Sequence, residues 1–162
     1  NDVLKSAFEI FSQQLKVRGI QVVWEIQEPL PRIHADPSRL AQVFINLLIN
    51  ARDAIMDRLK LEGPEEVDKK IFLHTYAEKH SVIIEVCDSG IGIPASILDK
   101  IFETFFTTKE VGKGTGLGLS ISYGIVKECG GIIRMEPNKP EGTCFVLTFP
   151  AHGEKDGTAE RR

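Results

Sequence analysis

Asn46-Leu47-Leu48-Ile49-Asn50-Ala51-Arg52-Asp53-Ala54 sets two asparagines and an aspartate into a stretch otherwise patterned for burial. Asn46 and Asn50 are spaced i, i+4, so on a helix their amides lie one turn apart on one face, and Asp53 extends that ridge with a carboxylate. Asparagine is a mediocre helix former, at a few tenths of a kcal/mol each. A solvated polar face is one reading of the ridge. The other is chemical, because an amide oxygen is a neutral, hard ligand suited to Mg²⁺.

Working outward, Asp36-Pro37 offers an N-cap acceptor followed by proline in the first turn, which starts this helix and carries it to about Lys60. Its buried face is expected at Leu40, Val43, Phe44, Leu47, Leu48, Ala51, Ala54 and Ile55. Upstream, the apolar stripe of Val3 to Arg18 predicts a helix stopped by Gly19, and Ile20 to Gln27 predicts a strand ended by Pro29 and Pro31. Downstream, strands are expected at about Lys70–Ala77 and Val82–Cys87, then a short helix from Ala95 to Phe102 and a buried helix from Leu117 to Cys129. Ile132–Met135 and Cys144–Phe149 close the pattern as a hairpin. This order predicts an α+β fold, a two-layer sandwich with helices on one face of a mixed sheet. Residues 1–150 form one domain in this reading, and 151–162 a flexible tail.

Three further segments bear chemistry. Asp88-Ser89-Gly90-Ile91-Gly92-Ile93-Pro94 follows a strand, so a carboxylate stands at the strand end beside two glycines. It can accept a hydrogen bond from an adenine amino group while Gly90 and Gly92 let the backbone approach the base. A simple chain reversal is the plainer alternative. Ile101 to Lys109 sets an aromatic cluster beside a polar stretch, like a latch for a lid, with Lys109 a candidate for terminal phosphates. Gly114-Thr115-Gly116-Leu117-Gly118-Leu119-Ser120 opens a helix, whose N-terminal N–H groups and dipole favour phosphate. It is not a Walker A loop, because Gly114 follows Gly112-Lys113 where Ser or Thr is required.

Composition narrows the classes. The 162 residues suit one domain, and the formal charge of 20 − 23 = −3, with no Lys/Arg stripe, excludes a nucleic-acid-binding footprint. No apolar run approaches the roughly 20 residues of a membrane span, and no secretory leader pattern stands at the start. Cys87, Cys129 and Cys144 lack CxxC spacing, so reduced thiols in a cytoplasmic setting are expected. His34, His74, His80 and His152 form no metal motif, and structural or surface roles are expected for them.

Taken in order, the four segments resemble the N, first-glycine, F and second-glycine boxes of the GHKL superfamily, over roughly Val3 to Pro150. The resemblance implies a Bergerat-type sandwich binding ATP and Mg²⁺ between helices and a lid. By it Asn50 matches the Mg²⁺-binding asparagine, Asp88 the adenine-reading aspartate and Gly92 the glycine beside the adenine. Gly114, Gly116 and Gly118 match the phosphate-loop glycines, with Thr115 and Leu117 between them. Thr143 matches a residue that supports adenine through water, and Lys109 the basic residue near the γ-phosphate.

Asn46 occupies the position where ATPases of the superfamily carry a glutamate to activate water, and an asparagine there is similar to the histidine kinases. The resemblance thus implies a catalytic domain that holds ATP for in-line transfer, with Asn46 and Lys109 at the reacting end. Asn50, Asp53, Asp88, Gly90, Gly92 and the glycine loop would bind the nucleotide. The phosphoacceptor histidine is expected on a separate helical hairpin, since none of the four histidines has that setting, and a response regulator is the expected downstream partner. This domain is expected to be monomeric by itself. Other readings are an ATPase of the superfamily, a serine kinase of the anti-sigma-factor type, and a binding module without catalysis.

Overall fold

The computed structural model describes residues 1–109 and 116–153. Over these residues the helices are α1 (Asp2–Val17), α2 (Pro37–Glu62) and α3 (Gly118–Glu128). The strands are β1 (Gln21–Ile26), β2 (Lys70–Glu78), β3 (Ser81–Asp88), β4 (Ile132–Pro137) and β5 (Thr143–Pro150). They form one mixed sheet in the order β1-β2-β3-β5-β4, parallel between β1 and β2 and antiparallel elsewhere. The expected architecture and element order are present.

Local chemistry explains the ends. Asp36 caps α2 by accepting from the Ser38 and Arg39 amides at 2.9 and 3.1 Å, with Pro37 in the first turn. Lys70–Glu78 and Ser81–Asp88 alternate, so one face of the sheet sends Ile71, Leu73, Val82, Ile84 and Val86 into the core beneath the helices. Leu40, Val43, Phe44, Leu47, Leu48, Ala51 and Ile55 of α2 meet them there. Ala54, also expected on that face, is half-buried and lends its carbonyl to the Ile91 amide at 3.0 Å.

Two expectations need correction. The helix expected over 95–102 is a single 3₁₀ turn, Ala95–Ile97, followed by turns. Pro94 starts it, but Ile97, Ile101 and Phe102 face the core from successive turns without needing a continuous helix. Cys87 and Cys144, expected as separate reduced thiols, are joined in a disulfide. The β3–β5 register sets them directly opposite across 57 residues, a proximity that linear spacing does not reveal. Cys129 remains a free thiol.

Ala151 pairs with Ile33, and His152 donates its amide to the Arg32 carbonyl, so the chain stays attached just beyond β5. The rest of the tail expected over 151–162, from residue 154 onward, lies outside the described residues. No helix among them is long and apolar enough to cross a membrane.

Candidate functional site

The site is built on the C-terminal end of β3. Asp88, its last residue, is 3% exposed. Its Oδ1 accepts from the Gly90 amide at 2.8 Å and from the Thr143 amide at 3.3 Å. Burial pushes the Asp88 carboxyl up to about 7, against the opposing pull of those two backbone donors. A carboxylate kept out of water this way costs stability unless a partner donates to it. Such groups concentrate where a ligand is read.

The neighbouring turn is held just as closely. The Asn138 amide donates to the Asp88 carbonyl at 2.9 Å, and Arg58 donates to the Ser89 carbonyl at 2.9 Å while pairing with Glu141 at 2.6 Å. Gly142, at φ +113°, passes so near that a Cβ there would lie 1.9 Å from the Asp88 carbonyl oxygen. Sequence reasoning missed Asn138, Arg58 and Gly142 because each acts on Asp88 or the adjoining Ser89 from a distant segment.

Helix α2 forms the facing wall. The Asn46 amide donates to the Gly118 carbonyl at 3.2 Å and to Ser122 Oγ at 3.3 Å, tying α2 to the first turn of α3. One turn on, Asn50 has a buried amide nitrogen with no hydrogen-bond partner among the described residues. An orphan donor of this kind costs about 1–3 kcal/mol and calls for an acceptor. Asp53 is held between two cations, Arg52 at 2.9 Å and Lys109 at 2.6 Å. The Arg52 guanidinium also bonds Gln14 and lies 5.2 Å from the Phe11 ring centre, anchoring this corner to α1.

These walls enclose a cavity of about 550 Å³, within the usual range for a small-molecule site. Asn46, Asn50, Asp53, Asp88 and Thr143 line it, as do Gly92, Lys109, Gly116 and Gly118. Its apolar sides come from Ile49, Ile93, Ile97, Ile101, Phe106 and Leu119. Ile49, on the same face as Asn46 and Asn50, was readable from the helical period; Ile93 and Ile97 were not. Two expected residues stand back from the cavity. Gly90 lies where a Cβ would meet the Ala54 backbone at 2.5 Å, so it serves close packing of the turn after β3 on α2. Leu117 caps α3. Gly114 and Thr115 lie outside the described residues.

An apolar slot with a buried carboxylate at its floor and an unsatisfied amide on its wall suits a flat, hydrogen-bonding base with a charged tail. Residues 35–153 match the family described as histidine kinase-, DNA gyrase B-, and HSP90-like ATPase. The catalytic domain of histidine kinase ThkA superposes with a TM-score of 0.75 at 32% identity, covering 93% of this chain and 91% of that one. The chain belongs to this family, as a histidine-kinase catalytic domain.

The kinase domain is also 46% identical over 142 residues to the sensor kinase CckA of Brucella abortus (strain 2308), a match covering 85% of the chain and 14% of that relative. Full-length ShkA, solved in complex with AMPPNP, superposes with a TM-score of 0.75 at 28% identity, covering 93% of the chain and 29% of that protein. The kinase domain thus spans a minor part of these longer relatives. Asn46 distinguishes its site chemically: the amide faces Gly118 and Ser122, and has no basic atom with which to activate water.

Proposed function

We propose that this domain binds ATP with Mg²⁺ in the cavity between α2, β3 and α3 and donates the γ-phosphate to a histidine on a separate dimerisation and phosphoacceptor domain, for onward passage to a response regulator in two-component signalling. The observation that carries the reading is the pairing, in one cavity, of buried Asp88 with the unsatisfied Asn50 amide. ShkA, whose structure holds AMPPNP, supports the same ligand class for this chain.

In this reading Asp88 accepts from the adenine amino group, with Thr143 bracing the carboxylate and the isoleucine walls excluding water from the base. The Asn50 amide nitrogen donates to a phosphate oxygen, and its oxygen is a hard, neutral donor that fits a magnesium ion. Such an ion would neutralise charge on the phosphates. Lys109 adds a mobile positive charge at the same end, and the open first turn of α3 adds backbone donors. Asn46 positions α3 and withholds a general base, so the triphosphate survives until the histidine arrives.

The test is calorimetric titration of ATP, with and without Mg²⁺, into wild type, Asp88→Asn and Asn50→Ala, followed by transfer of radiolabelled phosphate to a supplied histidine phosphoacceptor domain. Asp88→Asn is expected to weaken binding with or without the ion, and Asn50→Ala chiefly in its presence. Unchanged affinity in both variants overturns the pocket. Binding without transfer to the supplied domain overturns the donor role.

A further inference from the structure

The face of the sheet turned away from the helices carries a side-chain cluster of its own. Strand alternation sends His74 and Tyr76 of β2, Ile83, Glu85 and Cys87 of β3, and Cys144 and Val146 of β5 to this side. Cys87 and Cys144 are 9% and 8% exposed, and Val146 is fully buried, although no helix among the described residues covers them. The Glu85 carboxylate stands over the pair. One of its oxygens lies 3.1 Å from His74 Nδ1, and the other accepts from the Tyr76 hydroxyl at 3.2 Å.

We propose that, once the Cys87–Cys144 bond is reduced, the two thiolates and the Glu85 carboxylate form a binding site for a thiophilic divalent cation such as Zn²⁺ on this outer face. The Sγ atoms and a Glu85 oxygen lie within 4.8 Å of one another. Tetrahedral coordination with Zn–S of about 2.3 Å and Zn–O of about 2.0–2.2 Å sets neighbouring ligand atoms about 3.5–4 Å apart. The two Sγ atoms, bonded in the oxidised form, separate to that spacing by side-chain rotation once reduced, while the β3–β5 register and the i, i+2 spacing of Glu85 and Cys87 keep the carboxylate beside them.

The donor set selects the ion. Two thiolates favour a soft or borderline cation, whereas Mg²⁺ prefers oxygen alone. His74 and Tyr76 supply the outer support that metal-bound carboxylates usually have, fixing the Glu85 orientation from both oxygens. His74 and Glu85 retain side-chain exposures of 37% and 24%, which leaves an entry path and room for a water as fourth ligand.

The chemistry balances as two steps. A dithiol or phosphine reductant supplies two electrons, and two protons convert the disulfide to two thiols while the reductant is oxidised. Cation binding then releases those two protons as the thiolates form. The oxidised pair has no thiolate to offer, so disulfide and metal are alternatives at one place. This site shares no residue with the nucleotide cavity and stands whether or not that assignment does.

The experiment titrates Cd²⁺, a spectroscopic probe, and then competing Zn²⁺, into phosphine-reduced protein after anaerobic removal of the reductant. One equivalent of cadmium is expected to raise thiolate-to-metal charge-transfer absorption, which Zn²⁺ abolishes and Mg²⁺ leaves unchanged. The oxidised protein and the Cys87→Ser/Cys144→Ser double variant are expected to lack it, although Cys129 remains. Glu85→Gln and His74→Ala, which keep both thiols, are each expected to weaken binding about 10-fold or more. No absorption at one equivalent in reduced wild type, or full absorption in the double variant, overturns the site. Equal affinity in Glu85→Gln overturns the part given to the carboxylate.

Discussion

The Lys109 ammonium lies 2.6 Å from the Asp53 carboxylate, so the lysine of the aromatic-latch segment rests on the helix that carries the two site asparagines. The contact closes one side of the cavity, and both side chains remain about 30% exposed (30% and 27%). An ion pair at that exposure contributes about 0–1 kcal/mol to stability. In the proposed binding mode a phosphate entering the cavity competes with Asp53 for the same cation. Lys109→Ala is therefore expected to leave the unfolding midpoint nearly unchanged while weakening ATP about 3- to 10-fold, and ADP less. Calorimetry with both nucleotides checks it; equal losses for the two would place Lys109 away from the terminal phosphate.

Asp88 links affinity and stability with opposite signs. Its folded carboxyl is raised to about 7 from an ordinary 3.8, chiefly by burial. The folded state thus holds a proton that the unfolded state has released. The stability this group confers is present below about pH 4, is lost as pH rises toward about 7, and stays lost above it. Asp88→Asn is expected to cost about 10- to 100-fold in ATP affinity, the worth of one charge-assisted hydrogen bond. The same substitution should stabilise the nucleotide-free domain at pH 8 by an amount on the order of 2–4 kcal/mol relative to wild type, with the advantage vanishing near pH 4. Urea unfolding across pH decides the second half.

Asn46 holds α3 through its amide donor, so replacing that donor with a carboxylate turns a bond into a repulsion against the Gly118 carbonyl. Asn46→Asp is expected to destabilise the domain by about 1–3 kcal/mol and to loosen the first turn of α3. Denaturant unfolding measures the first effect and amide exchange at Leu119 to Ser122 the second. A variant as stable as wild type would show that the contact does not anchor the helix.

Gly142 and Gly63 both hold positive φ, at +113° and +85°, but only the first is crowded. A Cβ on Gly142 meets the Asp88 carbonyl, whereas on Gly63 it meets nothing within 4 Å. Gly63, at ψ 161°, holds an extended positive-φ conformation that side chains rarely adopt, so Gly63→Ala should cost about 1–3 kcal/mol in backbone strain alone. Gly142→Ala should cost more and also shift Asp88, lowering nucleotide affinity. Equal costs would mean that the Gly142 turn relaxes freely.

The sequence alone determined the element order and singled out polar residues that the cavity gathers. Apolar periods of 3.6 and 2 marked the helices and strands, Asp36-Pro37 and Gly130-Gly131 marked the bounds of α2 and α3, and Asn46, Asn50 and Asp88 stood out as polar groups in apolar runs. Those signals are local, so they survive in one dimension. Tertiary structure decided what depends on contact between distant segments. It tied Asn46 to α3, set Lys109 against Asp53 and closed Asn138 and Gly142 over Asp88. It also set Cys87 opposite Cys144, because strand register, a property of paired backbones, brings together residues that no spacing rule connects.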